Sequence, residues 1–596
     1  MIRVPLRPLA KIIAARAQGE DPDVEEAERR ARNLRKARTR ERKRAENRLV
    51  IVATIMAVAF GAVGLRMASM SLTDPASTVR AASAELLRAD RADIVDRHGA
   101  VLATNAPATS VYVETRQMVD RARVAEGLGE IFPWLDAATL TRRFEGAGNF
   151  HWIAHRVSPE QAQAVHDLGQ PGVFFGPRQV RVYPAGAAAS HIVGGARFER
   201  VSAEAAEIIG KSGLELAFNE RLSSPGETAE PLRLSLDLRL QSAMREVLAS
   251  EMARQTAIGA SGIFMDAHTG EILAMVSLPD FDPNDPPYGR EGGDAQLFNR
   301  AAQGVYELGS TFKPFQAAIA MEAGAATPET LIETQGPLRW GRFRISDIHQ
   351  MDPEMPLADV IVQSSNVGTA RLAQLTGIEA QQRYLARLGL LTTTGVELPE
   401  ARTARPIYPA NWSELSMMTI SYGHGISVSP LHLAAAYAPF ANGGHMVQPT
   451  LLAGEGDLGE RVISEETAAQ ILEMMRRVVD EPAGTANFAA VPGYAVAGKT
   501  GTAEKPSASG GYDEDKVIST FAGVFPADDP RYVLVLTLDE PEVQVGRVTK
   551  RTAGWTAAPA SARLLRRLVP ILNMRPAREV PSGAPASLLF TSAPAQ

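Results

Sequence analysis

The chain has 596 residues, 45% of them hydrophobic, which is enough for two or more domains with proper cores. It contains no cysteine, so disulfide stapling, thiolate metal sites and thiol catalysis are excluded. The formal net charge of -6 is unevenly spread: residues 1–48 hold 15 Lys/Arg against 8 Asp/Glu, a net of +7, and the remainder therefore carries -13.

A basic arm can serve nucleic acid, a membrane surface or membrane topology, and the segment after it decides. Residues 49–65 (LVIVATIMAVAFGAVGL) carry no charge, and the apolar run resumes after Arg66 with MASMSL. Seventeen helical residues span about 25 Å, close to the thickness of a bilayer core. Arg66 can snorkel to the interface. The run RRARNLRKARTRERKR (29–44) lies just before this span, so the positive-inside rule places residues 1–48 in the cytoplasm and the bulk of the chain outside. A cleaved signal peptide would have a shorter basic region and a shorter apolar core. The reading is an uncleaved anchor over 49–72, preceded by a helix-prone or disordered arm that needs no nucleic acid to explain its charge.

Residues 73–90 read as a polar connector. In RADIVDRHGAVLATN (91–105), apolar alternation predicts two short strands around a turn at His98-Gly99. From about 116 to 170 the pattern is helical, as in VDRARVAEGLGEIF and SPEQAQAVHDLG. His151 and His155 (HWIAH) have the spacing of two metal ligands on a helix, but no glutamate follows His151 and no third ligand is evident, so no metal is assigned. RVYPAGAAASHIVG (181–194) reads as a loop entering a small-residue helix. Composition shifts again near Pro231, where LRLSLDLRLQSAMREVLASEM begins as a strand and becomes an amphipathic helix. SGIFMDAHTGEILAMVS (261–277) is a hairpin turning at His268-Thr269-Gly270. A broad helical region follows over roughly 310–480. Strands then return: YAVAG before Lys499, and VISTFAGVF and YVLVLTL joined by PADDP. Strands at both ends of this stretch with helices between them predict an α+β fold, one antiparallel sheet closed by the two halves of the chain beside a helical cluster. The Pro/Ala/Ser-rich end, 576–596, reads as a disordered tail.

Three motifs occur in one order: Ser310-Thr311-Phe312-Lys313, Ser364-Ser365-Asn366 and Lys499-Thr500-Gly501-Thr502. Lysine is scarce, 9 residues against 53 arginines, and Ser310 is the one serine with a lysine three residues later. Arginine cannot lose its proton in a protein, whereas a desolvated lysine can. Pro314 has no N–H for the Ser310 carbonyl and its ring would clash there, so Ser310 sits at or beside a helix N-terminus, where free N–H groups favour negative charge. Lys313 shares its face and could take the Ser310 proton if burial or a nearby cation such as Lys499 lowered its proton affinity. Ser364 could relay a proton, while Asn366 could hold Lys313 and the substrate amide. Lys499, Thr500 and Thr502 could clamp a carboxylate, Gly501 could let a substrate backbone approach, and the N–H groups of Thr502 and Ser310 could form an oxyanion hole.

Each motif has a plainer reading on its own: a serine cap with a surface lysine, a turn cluster, a strand end. GYAVAGKT (493–500) also fits the bare pattern of a phosphate loop, but YAVA is strand-like and a poor helix follows. Tyr422-Gly423-His424-Gly425 reads as a tight loop lining the site, with no base role for His424 while Lys313 is at hand. Together the three motifs equip a serine acyl-transfer enzyme.

The set S-x-x-K, S-x-N and K-T-G resembles that of penicillin-binding proteins. The stretches RADIVDRHG, RVYPAGAAASHIVG, SGLELAFN, HTGEILAMVSLPDFDPN, NRAAQGVYELGSTFKP, GISVSPLHLAAAYAPFANGG and AGTA with VAGKTGTAEK extend the resemblance to class B penicillin-binding proteins over roughly 49–565, nearest the division-specific, septal (FtsI-type) form. The resemblance implies an anchor followed by an elongated α+β pedestal of dimerisation type over 73–230 and a transpeptidase domain over 231–575. It implies D,D-transpeptidation of peptidoglycan stem peptides without metal or cofactor, acylation by β-lactams, and division partners including a membrane-embedded glycosyltransferase, with the catalytic part periplasmic at the division site. In that scheme Ser310 is nucleophile, Lys313 base, Ser364 and Asn366 relay and orienter, and Lys499, Thr500, Gly501 and Thr502 the substrate side. An elongation-specific class B enzyme or a non-enzymatic scaffold of wall synthesis is the alternative. Two departures stand out: Ala92 where the family usually has glycine, and Leu308 where many members have proline.

Overall fold

The structure, a computed structural model, describes residues 9–19, 21–72, 91–146, 148–200, 206–223, 230–507 and 510–576. The connector expected over 73–90 and the tail beyond 576 lie outside them. The chain divides into two units, Met1–Leu86 and Leu87–Gln596.

In the first unit, α1 (Leu9–Ala17) precedes α2 (Pro22–Leu72), a single helix through both the basic arm and the apolar span. The arm is thus helical from Pro22. Ion pairs at i,i+4 spacing, Arg30–Glu26 at 3.0 Å and Arg42–Glu46 at 2.9 Å, suit its polar half. The Leu, Val, Ile and Phe side chains of the apolar half are exposed around the whole helix. Among the described residues this is the one helix long and apolar enough to cross a membrane.

The second unit opens with β1 (Ile94–Val95) and β2 (Val101–Glu114) around the anticipated turn. Next come α3 (Arg121–Ile131), α4 (Ala137–Glu145), β3 (Phe150–Ala154), α5 (Pro159–Asp167) and β4 (Val173–Val182). Asp120, Asp136 and Ser158 cap the three helices by accepting from backbone N–H groups. β2 pairs with β1, β3 and β4. Val111, Val113, Val124, Leu128, Phe132 and Phe144 fill the core between sheet and helices. The HWIAH segment is therefore extended. Residues four apart in a strand lie about 13 Å from each other, too far for two ligands of one metal.

A hairpin of β5 (Ala196–Arg200) and β6 (Ala206–Gly210) follows, and β7 (Leu232–Arg233) returns to pair parallel with β1, Ile94 opposite Leu232. The junction expected near Pro231 thus falls inside shared backbone pairing: Leu234 N–H donates to Val95 O at 2.8 Å, and Leu234 also bridges to Leu452. Beneath it sits a buried ion cluster. The Glu215 carboxylate lies between Arg91 and Arg181, with Arg181 Nε donating to Oε1 at 2.6 Å, and all three side chains are at most 2% exposed. Ala92, the first departure from the family pattern, supplies a carbonyl to Arg181 Nη2 at 2.8 Å. That bond is made by backbone, so a methyl in place of the glycine hydrogen leaves it intact.

The rest of the unit contains α6 (Leu238–Arg254), β8 (Gly259–Asp266), β9 (Ile272–Leu278), α7 (Lys313–Glu322), α8 (Asn366–Thr376), α9 (Pro430–Tyr437), α10 (Glu465–Asp480), β10 (Ala497–Pro506), β11 (Tyr512–Phe525), β12 (Tyr532–Asp539) and α11 (Ala557–Leu568). The sheet order is β10-β11-β12-β8-β9, every pair antiparallel. The pairing of β12 with β8 closes the sheet across the two ends of the domain, as expected from the strand pattern. Every residue of β12 is buried, which accounts for its unbroken apolar run. Helices α6, α9 and α11 pack on the sheet, and α10 packs on β10. The Lys499–Thr502 motif does not follow a strand; it lies within β10, the edge strand. No helix opens there, so the phosphate-loop geometry does not form.

Candidate active site

Three chain segments converge at the open edge of the sheet, and backbone contact fixes each. Gly309 has a φ of +57° and starts a 3-10 turn, Gly309–Phe312, that runs straight into α7. Ser310 therefore stands one turn before the helix, and its carbonyl accepts from Lys313 N–H. Thr311 Oγ1 donates to Leu308 O at 2.9 Å, and Tyr437 OH donates to Thr311 O at 2.7 Å. Phe312, Phe315, Tyr437 and Phe440 pack ring on ring behind the turn, at centroid spacings of 5.4 to 5.6 Å. Leu308 is itself fully buried, so the second departure contributes packing beside Ser310.

Gly501 is also required to be glycine by the fold itself. A Cβ there would lie 2.1 Å from Leu308 O. The turn carrying Ser310 makes a close approach of its own here, and any side chain would push that turn off β10. A Cβ on Gly423 would likewise lie 2.0 Å from Gly309 O, so the 422–425 loop rests on the same turn.

The middle motif is set by Asp347. Its carboxylate accepts from Ser365 Oγ at 2.8 Å, from Asn366 N–H, and from Val367 N–H at 3.3 Å. Ser365 Oγ in turn caps α8 by accepting from Gly368 N–H at 2.9 Å. With Ser365 turned inward, Ser364 is held at φ +63°, a conformation that costs a non-glycine residue on the order of 1–3 kcal/mol. The return is geometric. Ser364 Oγ lies 3.0 Å from Lys313 Nζ and 2.9 Å from Lys499 Nζ, and the Ser364 carbonyl also accepts from Lys313. One hydroxyl is gripped by two amines. Asn366 does not reach Lys313 in this arrangement; its Nδ2 donates to Ser346 O at 3.1 Å.

Both amines are wholly buried. Burial, and then the charge of Lys499, hold the Lys313 amine well below the ordinary lysine value, against the opposing pull of Asp347. Burial lowers Lys499 to about 7. Two like charges on either side of one oxygen repel, which favours loss of a proton from the pair. A neutral Lys313 amine can accept a hydrogen bond from Ser364 Oγ. A substrate carboxylate next to Lys499 would restore that lysine's charge.

The cleft above these groups measures about 700 Å³. Ser310, Ser364, Asn366, Thr500 and Thr502 line it, whereas Lys313, Lys499 and Gly501 form the wall behind. Thr500 Oγ1 pairs with Thr485 Oγ1 at 2.8 Å, and Thr502 Oγ1 accepts from Ala553 N–H at 2.9 Å. Both hydroxyls are thus oriented from behind. The structure therefore gathers all eight residues singled out in the sequence. Sequence reasoning missed Asp347, Thr485 and the lining residues Glu307, Phe488, Tyr512 and Trp555. Thr485 lies in the quoted AGTA stretch and Glu307 in NRAAQGVYELGSTFKP, neither of which gave its residue a role, and nothing local marks the others.

A family model described as the penicillin binding protein transpeptidase domain matches residues 260–565. The chain belongs to that family. A penicillin-binding protein dimerisation domain matches residues 86–228, the module built on β1–β6. The probable peptidoglycan D,D-transpeptidase FtsI of Caulobacter vibrioides is 37% identical over 497 residues, covering 81% of this chain and 82% of the relative. The peptidoglycan D,D-transpeptidase FtsI of Escherichia coli K12 is 28% identical over 576 residues, covering 91% and 95%. Among solved structures, penicillin-binding protein 3 of Mycobacterium tuberculosis in complex with aztreonam superposes with a TM-score of 0.62 at 26% identity, over 83% of this chain and 98% of that one. The fold, a class B penicillin-binding transpeptidase with its pedestal, and the serine-type enzyme class follow.

Proposed function

We propose that the chain is a peptidoglycan D,D-transpeptidase of septum synthesis, anchored by α2 in the inner membrane with its catalytic part in the periplasm. The observation that carries this reading is the Lys313–Ser364–Lys499 arrangement under Ser310. Neutral Lys313 takes the Ser310 proton, and Ser310 Oγ attacks the carbonyl of a D-Ala-D-Ala bond. The oxyanion meets the N–H groups of Ser310 and Thr502. Ser364 passes the proton to the departing D-Ala amine, while Lys499, Thr500 and Thr502 hold its carboxylate. Asn366 orients the substrate amide from the α8 side, and Gly501 keeps the turn seated. A neighbouring stem's amine then resolves the ester. β-Lactams would acylate the same hydroxyl. The septal role, and partners such as a membrane-embedded glycosyltransferase, rest on the FtsI-named relatives.

Fluorescent penicillin should label the protein, and Ser310→Ala should abolish labelling, with the adduct mapped to Ser310 by mass spectrometry. An adduct elsewhere, or no labelling of the intact protein, would favour a scaffold role. A fluorescent fusion that follows the side wall instead of midcell would favour elongation over division.

A further inference from the structure

Acyl transfer has a second half that the three motifs leave under-equipped. Near neutral pH an acceptor amine arrives as an ammonium. It must shed one proton to become a nucleophile and a second on forming the amide. Ser364 and Lys313 can return one of these to Ser310 Oγ, and the other needs a separate base facing the same cleft.

Glu307, three residues before the nucleophile, carries such a base. Its Oε2 lies 3.1 Å from His424 Nδ1, with the Glu307 side chain 10% exposed and the His424 side chain 44% exposed. Its Oε1 accepts from Gly425 N–H at 3.0 Å and from Tyr512 OH at 2.8 Å. Glu307, His424 and Tyr512 all line the cleft with Ser310. The loop carrying His424 rests on the nucleophile turn through Gly423, as described above. With Nδ1 held by the carboxylate, Nε2 is the nitrogen left for the cleft. A plain ion pair fastening the 422–425 loop to β11 would account for the Gly425 and Tyr512 bonds. It gives no reason for an imidazole that lines the cleft and whose second nitrogen has no partner among the described residues.

The geometry points to His424 as the general base that takes the first proton from the acceptor ammonium, with Glu307 as its positioning residue. This inference rests on the transpeptidase reading. Neutral His424 takes one proton from the ammonium through Nε2, and its exposure lets that proton pass to solvent. The freed amine forms its N–C bond to the acyl carbon, the C–Oγ bond of the ester breaks, and the second amine proton travels through Ser364 and Lys313 to Ser310 Oγ. The sum is ester plus ammonium giving amide, free serine and one released proton.

The groups facing His424 are Glu307, Glu504 on β10, the Tyr512 ring at 5.0 Å and the Tyr422 ring at 6.4 Å. The Glu307 hydrogen bond raises the imidazole above the ordinary histidine value against the opposing effect of burial, and the charges of Glu307 and Glu504 add to it. Burial raises Tyr422 to about 12 and also raises Tyr512, so both phenols stay neutral.

The test uses the full-length protein in detergent, a thioester analogue of the donor peptide, and D-alanine as the acceptor amine. Donor uptake on Ser310 and aminolysis of the isolated acyl-enzyme are timed separately across pH. In His424→Gln, aminolysis should fall about 100-fold and its pH profile should lose the imidazole step, leaving only the climb that follows the free-amine fraction of D-alanine, while donor uptake falls far less. In Glu307→Gln, the rise should move to lower pH, because the charge that favours imidazolium is gone. Equal losses in both half-reactions of His424→Gln, or an unchanged pH rise, overturn the inference. If His424→Gln takes up no donor at all, Glu307→Gln decides, and a rise left in place overturns it. Wild-type protein that takes up no donor on Ser310 sinks the transpeptidase reading beneath it.

Discussion

The pedestal and the catalytic domain each bury a trio of polar groups, and they do opposite things with them. In the pedestal, Arg91 and Arg181 share one carboxylate, Glu215, and the remaining guanidinium N–H groups go to Ile208 O, Ala92 O, Asn105 Oδ1, Asn219 Oδ1 and Ser223 Oγ. Every charge there has a partner, and arginine cannot give up its proton. In the catalytic domain, Lys313 and Lys499 share one neutral hydroxyl, Ser364, with a single carboxylate, Asp347, weighing on Lys313. Two buried cations around a neutral oxygen relax by shedding a proton. The first cluster ties together strands and helices far apart in sequence; the second keeps a proton loosely held in the wall of the cleft. The scarcity of lysine in an arginine-rich chain is consistent with this division of labour.

Neutralising one member of each cluster should therefore have effects of opposite sign on stability. Lys313→Met is expected to lower the acylation rate by about 10²–10⁴-fold, measured as second-order labelling by penicillin, because the base is gone. The same change should raise the thermal midpoint near pH 6. The sign follows from the Lys313 value being depressed in the folded protein relative to about 10.4 unfolded. Below the depressed value both states carry the proton, and the buried charge weighs fully on the native state. Between the two values the native state binds fewer protons, so wild-type stability climbs with pH and levels off above about 10.4. The advantage of Lys313→Met should shrink along the same window. Glu215→Gln should destabilise by about 3–5 kcal/mol in chemical denaturation, because it strands two buried guanidiniums. A Glu215→Gln protein as stable as wild type, or a Lys313→Met protein that loses stability near pH 6, would erase the contrast.

The two regions also differ in how much of them the sequence disclosed. The sheet was legible from both ends: the buried strands β8 and β12 carry the apolar runs IFM and YVLVL, and the His268-Thr269-Gly270 turn marks the hairpin. The eight residues that converge on the cleft could be picked out because serine, lysine and threonine recur at fixed short spacings whatever the distance between motifs. What stayed hidden were the side-chain and backbone contacts that reach outside the three motifs. Gly501 answers to Leu308, Ser365 and Asn366 to Asp347, and Thr500 to Thr485. No local pattern encodes such pairs. HWIAH was misjudged for a related reason: a five-residue run between helical stretches has too few positions to separate a helical period from an extended one, and pairing with β2 decides. Asn366 was expected to touch Lys313 because the two share a motif set, yet the α8 N-terminus turns it toward Ser346.

Two smaller effects sharpen the account of the lysine pair. Lys499→Met removes both a carboxylate clamp and the cation that helps lower Lys313. The first loss should reduce the height of the acylation profile. The second should move its acid limb to higher pH, because Lys313 then keeps its proton longer. A lower profile with an unmoved limb would mean that burial alone sets Lys313, and that the two amines do not communicate across Ser364. Thr485→Val is the finest probe. It deletes one neutral hydrogen bond, worth about 1 kcal/mol, and leaves Thr500 able to rotate. Acylation by penicillin should slow roughly fivefold, the acid limb should stay in place, and the thermal midpoint should hardly move, since Thr500 serves the substrate side and neither amine. A shift of the limb in Thr485→Val would tie Thr500 to the proton relay and redraw the boundary between clamp and base.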